Sequence, residues 1–443
     1  MSKIKKLVPA EQIMEILNRC GGSLNIVTIS RIKGDLNEEI LRKALKIVQS
    51  NYPCLDYQII GTLKNLYFTV ENTYEIPLST VYFDQNISFK KFILKELNTP
   101  LESNKYLLRC LLVLHREEPD IKYIITTIHH AISDGLSSVR LQEEIFNYCQ
   151  MIASGQNLEL NSNLSLKSSL LSLDNSFFKW IKNKINIINS VYFLGILGFK
   201  MFFYQIESLK SEENVVIELR NCGITQRYLE PEVTKTLINL CHLENTTVHG
   251  ALCSAMLIAV ANKIRKNQSR KINISCASYI DLRRRIEPKV PLENMGMFVS
   301  FLTSFHTIKS ETLFWELARD VTRQINKGLK QKDMFKPLLI IRKIVDYFLV
   351  NSESFFATIS VTNIGKINVP KIKGKLILEE ISFIPSNVVF NKIFTVAVAT
   401  FNDKMILNFT VSQPSVTQDT LELLADDVIS FLTKVCTSMK TET

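Results

Sequence analysis

Two apolar runs, LLRCLLVLHREE (107–118) and IKYIITTI (121–128), read as neighbouring strands, and the second passes without a loop into HHAISDG (129–135). Behind it, LSSVRLQEEIFNYCQMIA sets Leu141, Ile145, Phe146, Cys149 and Ile152 on one helical face. A strand that ends in a sharp turn and feeds an amphipathic helix lays that helix over the sheet, because each element buries its apolar face on the other. Whatever stands on the turn is then held at the end of the sheet.

The same mixture recurs along the chain. PAEQIMEILNRC (9–20) and LNEEILRKALKIVQSNY (36–52) are helical, and LNIVTISRIKG (24–34) between them is β-rich. YQIIGTL and NLYFTVEN form a hairpin about Lys64 and Asn65. Further on, strands are predicted in NVVIELR (214–220), KINISCASYIDL (271–282), ATISVTNIG, KLILEEISFI, FTVAVATFN and KMILNFTVSQ. TTVHGALCSAMLIAVANKIR (246–265) is a nearly all-apolar, buried helix that makes His249 a core histidine. TQDTLELLADDVISFLTKVC is an amphipathic helix with Thr417 as its N-cap. The fold class is therefore α/β, a mixed α+β chain with large sheets.

Three parts are predicted: an N-terminal lobe over 1–175 carrying HHAISDG, an apolar and basic connection over 176–213, and a second lobe over 214–443. A turn to Ser, Asn and Leu at 154–176 marks a linker. In the segment 177–206, the longest uninterrupted apolar stretch is nine residues. That is well short of the ~20 needed to span a bilayer. With Lys179, Lys182, Lys184 and Lys200 among aromatics, it reads either as a helix packed on the protein or as an interfacial helix making peripheral membrane contact.

Composition removes several function classes. Glycine supplies 14 of 443 residues, about 3% against a usual ~7%, and no G-x-x-x-x-G-K-[ST], G-x-G-x-x-G or G-x-S-x-G occurs. A P-loop NTPase, a dinucleotide fold and a common serine hydrolase are thereby disfavoured. Nine scattered cysteines with no C-x-x-C fit reduced, buried thiols in a cytoplasmic chain better than disulfides or a zinc site. MSKIKKLVPAEQ is basic but no apolar core follows, so no secretory signal is expected. The net charge is +10, with lysines spread along the chain rather than striped with aromatics; a solvated basic surface is expected, and no nucleic-acid partner.

Two of the six histidines stand in HHAISDG. Four fixed residue types within seven arise by chance about once in a thousand chains of this length. Histidine titrates near neutrality and is the natural base for taking a proton from an attacking hydroxyl or amine. Neighbours in extended chain point to opposite faces, so His129 and His130 cannot easily share one task or one metal. One faces a cleft and the other supports the turn. Gly135 supplies backbone freedom for the exit into the helix. No third metal ligand stands nearby, and no cysteine is set as a nucleophile.

HHAISDG resembles the HHxxxDG motif of the acyltransferase superfamily built on the chloramphenicol acetyltransferase fold. That superfamily includes condensation domains of nonribosomal peptide synthetases, polyketide-associated acyltransferases, alcohol O-acetyltransferases and wax ester synthases. SYIDLRRRIEPKVPLENMGMFVSF (278–301) is similar to its DLR segment, and SVTNIGKI (360–367) to its SNxG-type segment, with Thr362 where serine is frequent.

The resemblance implies two chloramphenicol acetyltransferase-like lobes forming a pseudo-dimer, with the active site in a tunnel between them. It makes His130 catalytic and His129 structural. It pairs Asp134 with the DLR arginine, Arg283, as an ion pair holding the fold across the lobes, with Arg284 and Arg285 crowding the same segment. Asn363 becomes a donor to an oxyanion or a brace of the cleft. The implied donor is acyl-CoA or a phosphopantetheine-linked thioester on an acyl-carrier protein, with no bound metal or redox cofactor.

Ester formation on a hydroxyl acceptor is the reading favoured by SVTNIGKI. An amide-forming stand-alone condensation enzyme and a non-catalytic docking module for a carrier protein are the alternatives. A cytoplasmic monomer is expected, its basic charge attracting coenzyme A phosphates or an acidic carrier.

Overall fold

The predicted strand pair lies inside a five-stranded sheet. In this computed structural model, residues 3–20, 24–71, 74–84, 88–156, 205–266, 269–339, 357–369 and 374–437 are described, with a few single positions between 195 and 203 and at 342 and 346. The chain runs β1 (Lys3–Lys6), α1 (Pro9–Cys20), β2 (Asn25–Lys33), α2 (Glu38–Asn51), β3 (Gln58–Thr62), β4 (Asn65–Thr69), β5 (Leu78–Phe83), α3 (Phe89–Asn98), β6 (Leu108–His115), β7 (Ile121–His129) and α4 (Gly135–Ala153). It continues with β8 (Asn221–Leu229), α5 (Pro231–Leu243), α6 (Val248–Arg265), β9 (Ile272–Asp281), β10 (Val299–Ile308) and α7 (Phe314–Lys330). Last come β11 (Ile359–Lys366), β12 (Ile377–Pro385), β13 (Phe394–Phe401), β14 (Lys404–Gln413) and α8 (Gln418–Thr437).

Two units form. The first comprises Met1–Phe177, Leu282–Phe298 and Asn368–Ser386; the second comprises Phe178–Asp281, Val299–Ile367 and Asn387–Thr443. Lobes cut as continuous stretches at 175 and 214 therefore miss two late segments that return to the first unit. Pairing explains the second return: β12 runs antiparallel to β2 from Ile377↔Lys33 to Pro385↔Ile26, and Arg31 salt-bridges Glu379 across them.

In the first unit the sheet order is β12-β2-β7-β6-β5, and a small sheet β1-β4-β3 lies apart from it. β7 is central and almost wholly buried, as its Ile- and Thr-rich sequence favours. Its consecutive threonines show what covers it. Thr126 donates to Gln142 of α4 (2.7 Å) and Thr127 to Glu96 of α3 (2.5 Å). Neighbouring strand residues face opposite ways, so α4 and α3 lie on opposite faces of the sheet.

Gly135 is required for space rather than for backbone freedom. A Cβ there would stand 2.6 Å from the Phe383 ring on β12, and Phe383 is buried. The expected use of a special backbone angle is thus corrected to a close approach of α4 to the sheet.

The second unit is built on a six-stranded sheet, β10-β9-β11-β13-β14-β8, whose core includes most of α6 and the apolar face of α8. Every residue of β13 is buried, and Phe394 stacks on Phe409 at 5.3 Å. Thr417 accepts a long bond from the Thr420 amide (3.4 Å) at the start of α8. NVVIELR is not a strand. Ile217–Leu219 form a 3-10 turn, the Arg220 guanidinium bends back onto the Val215 carbonyl, and pairing starts only at Asn221. The predicted linker at 154–176 and the segment 177–206 fall largely outside the described residues. Among the described residues, no single helix is long and apolar enough to cross a membrane.

Candidate active site

The motif occupies the exit from β7. His129 is the last strand residue, registered against Asn25 of β2, and its amide bonds the Leu107 carbonyl (2.9 Å). The chain turns at once, with the Ile132 amide returning to the His129 carbonyl (3.1 Å). Asp134 then caps α4: its side chain accepts from the Ser137 amide (2.9 Å), and its carbonyl takes the first helical bond from Ser138 (2.8 Å).

The two histidines part company as strand alternation requires. His129 is fully buried, and its Nδ1 accepts the Ala131 amide (3.1 Å). The ring proton then belongs on Nε2, which faces Glu15 Oε2 of α1 at 3.0 Å. Glu15 has no exposed side-chain surface and also takes Ser103 Oγ (2.6 Å) and Arg19 Nε (2.5 Å). Burial alone would raise its pKa, but His129, Ser103 and Arg19 together bring it below the ordinary carboxylate value.

His130 stays partly exposed on the turn. Burial of the ring pulls its pKa below the ordinary 6.5, outweighing the carbonyls of His130 and Ser133 and the Asp134 carboxylate, which favour the proton. The imidazole is therefore neutral at neutral pH, with a basic nitrogen. An NMR titration, assigned with a His130→Ala variant, is expected to place its pKa below 6.5; a value at or above 6.5 contradicts the burial argument. The same shift makes the fold lose stability as pH drops below about 6.5, because the unfolded chain takes up this proton first.

On the helix side stands a second buried anchor. Arg283 grips Asp134 with both terminal nitrogens, Nη1 to Oδ2 at 2.7 Å and Nη2 to Oδ1 at 3.1 Å. Its guanidinium lies 4.7 Å from the Phe298 ring centroid, and the Phe298 amide donates to Asp134 Oδ2 (2.9 Å). Arg283 Nη2 also reaches Ser137 Oγ (2.7 Å), which exchanges bonds with both backbone groups of Gly296 (3.1 and 3.2 Å). Burial would raise the Asp134 pKa, but Arg283 and the two amides hold it below the usual value. Of the three successive arginines only Arg283 is buried; Arg284 and Arg285 are exposed. The expectation of a pair across the lobes is corrected, because Leu282–Phe298 belongs to the first unit, as Asp134 does.

Asn363 lies on β11 of the second unit, half-buried, just before an irregularity in the pairing with β13. Its Oδ1 accepts the Gly365 amide (2.9 Å), leaving the Nδ2 hydrogens as its donors. His249 is half-buried with Nε2 2.9 Å from Ser278 Oγ, and burial lowers its pKa to about 4. Burial pushes Cys54 and Cys241 up to about 12 and Cys436 to about 11, so none of the three is a thiolate near neutrality. Among the described residues, no three His, Cys, Asp or Glu side chains are grouped to hold a metal ion. Sequence reasoning missed Glu15, Ser137, Gly296 and Phe298. Glu15 shares a helix with an apolar stripe, and a carboxylate there reads as solvent-facing.

Family comparisons fall on these same elements. The condensation-domain family matches residues 12–167, and the family described as phthiocerol/phthiodiolone dimycocerosyl transferase C-terminus matches residues 221–409. A search among curated proteins returns no match. Among solved structures, polyketide synthase associated protein 5 from Mycobacterium tuberculosis is similar over 99% of both chains, with 14% identity and a TM-score of 0.72. TRI3 trichothecene 15-O-acetyltransferase from Fusarium sporotrichioides is similar over 97% of this chain and 95% of its own, with 12% identity and a TM-score of 0.71. The first condensation domain of the CDA synthetase is similar over 98% and 97%, with 11% identity and a TM-score of 0.68. At such identities the likeness is one of fold. One family model, of condensation domains, thus matches across the HHAISDG unit and another, of acyltransferases, across most of the second sheet, and the fold is the chloramphenicol acetyltransferase-like one.

Proposed function

We propose that the protein transfers an acyl group from a thioester to a hydroxyl acceptor, forming an ester, with His130 as general base. The observation that carries this reading is a neutral, partly exposed imidazole fixed between two buried anchors, Glu15–His129 on the strand side and Asp134–Arg283 on the helix side. His130 takes the proton of the hydroxyl as its oxygen attacks the thioester carbonyl. The tetrahedral intermediate then expels the thiolate, and the imidazolium returns the proton to sulfur, so the ester and a free thiol leave together. Asp134 is engaged by Arg283 and two amides, which supports a positioning role rather than a relay of charge from His130.

The test offers acyl-CoA and acyl-carrier protein to matched alcohol and amine acceptors. Ester product is expected. Exclusive amide product would assign the condensation-type reaction instead, and inactivity on every pair with tight carrier binding would assign a docking module.

A further inference from the structure

The second unit carries a groove of about 540 Å³ along α7, lined by polar and basic residues. Eight residues line it, none apolar and none acidic. Four are cations, Arg319, Arg323, Lys327 and Lys330, spaced along one face of α7, with Asn245 and Asn326 among the others. Lys327 and Lys330 lie in the last turn, where a helix dipole favours cations, but Arg319 and Arg323 stand too far from that end for the dipole to explain them.

Two of the charges are answered locally. Arg319 bonds Glu244 (2.6 Å), and Arg323 salt-bridges Asp320. Four cations against these two carboxylates leave a local excess of two positive charges.

The floor of the groove is fixed. On the inner face of α7, Asp320 holds His306 of β10 (2.8 Å), and Gln324 bonds both backbone groups of Phe305 (2.9 and 3.1 Å), taking the place of a further strand at that sheet edge. Thr246, in the turn before α6, bonds Thr322 (2.9 Å) and the Ala318 carbonyl (2.9 Å). Gly250 lets the two helices meet, since a Cβ there would lie 2.5 Å from Thr322 Oγ1. The cations are thus presented by a helix that need not reorganise to receive a ligand.

We propose that this groove binds a small molecule carrying two or more separated phosphate groups. The cations extend over about 16 Å of helix, so a single phosphate meets only a neighbouring pair of them. The groove lies within the ~300–1,000 Å³ range of small-molecule sites, far larger than one phosphate fills. The lining side chains end in charged, amide or hydroxyl groups, which suit phosphates and the hydroxyls or base of a nucleotide better than an acyl chain. The proposal does not depend on the reaction assigned to His130.

The test is calorimetric titration of the full chain with inorganic pyrophosphate and, separately, adenosine 3′,5′-bisphosphate, with orthophosphate as comparison. One-to-one binding of at least one of the first two is expected, tighter than orthophosphate and weakened about tenfold or more by Lys327→Gln with Lys330→Gln. Both lysines are exposed, so the variant is expected to keep the unfolding midpoint of the parent. A control pair on the first unit, Lys43→Gln with Lys46→Gln, removes the same charge and should leave binding unchanged. Binding of the bisphosphate alone points to a nucleotide source, and binding of both probes to the shared phosphate chemistry. No saturable binding of either probe, or equal weakening in both double variants, overturns the proposal.

Discussion

His130→Ala is expected to lower kcat/KM for acyl transfer by about 10²- to 10⁴-fold, the range of a lost general base. His130 is partly exposed, and the buried anchors on either side do not include its ring. The variant should therefore keep the parental circular dichroism spectrum and nearly the same unfolding midpoint. Thioester binding, measured by KM or direct titration, should change little, because the imidazole acts on the acceptor's proton. Transfer by the purified variant at the parental rate would remove His130 from the mechanism.

Breaking the second anchor should act in the opposite way, on stability before chemistry. Arg283→Ala leaves the Asp134 carboxylate buried without its cation, and losing one partner of such a pair costs about 3–5 kcal/mol. The loss is read by denaturant unfolding, alongside kcat per folded molecule. Arg283→Lys keeps the charge but not the two-pronged grip or the stack on Phe298, and should recover only part of the stability. Asp134→Asn should likewise destabilise while leaving kcat of the folded fraction within a few-fold of parental. A drop in kcat of several orders of magnitude at parental stability would instead make Asp134 part of the proton path.

Much of this was legible in the sequence, for identifiable reasons. The strands around 107–128 and the following helix announced themselves through strong periodicity, and the HHAISDG turn between them through its residue types. What stayed hidden depended on partners far along the chain. Nothing in KLILEEISFI says that it pairs with β2, more than 340 residues earlier (Ile381↔Ser30), so the lobes looked continuous when they are not. Glu15 is hidden because a carboxylate on an amphipathic helix reads as solvated, and the partners that answer it in the core, His129 and Ser103, lie far along the chain. The sequence singles out Gly135 for backbone freedom, whereas the crowding by Phe383, which comes from β12, is what requires it. The cations of α7 were counted in the overall charge, but their grouping in a groove depends on the turn at Asn245 from another helix.

The proposed chemistry links three quantities: thioester consumed, thiol released and ester formed. The most direct measurement follows free thiol and ester product together, by thiol trapping and mass spectrometry, as the protein meets an acyl thioester with and without a hydroxyl acceptor. The account predicts acceptor-dependent thiol release matched one-to-one by ester. Thiol release that ignores the acceptor, or no release above the protein-free rate on any donor–acceptor pair, would contradict it.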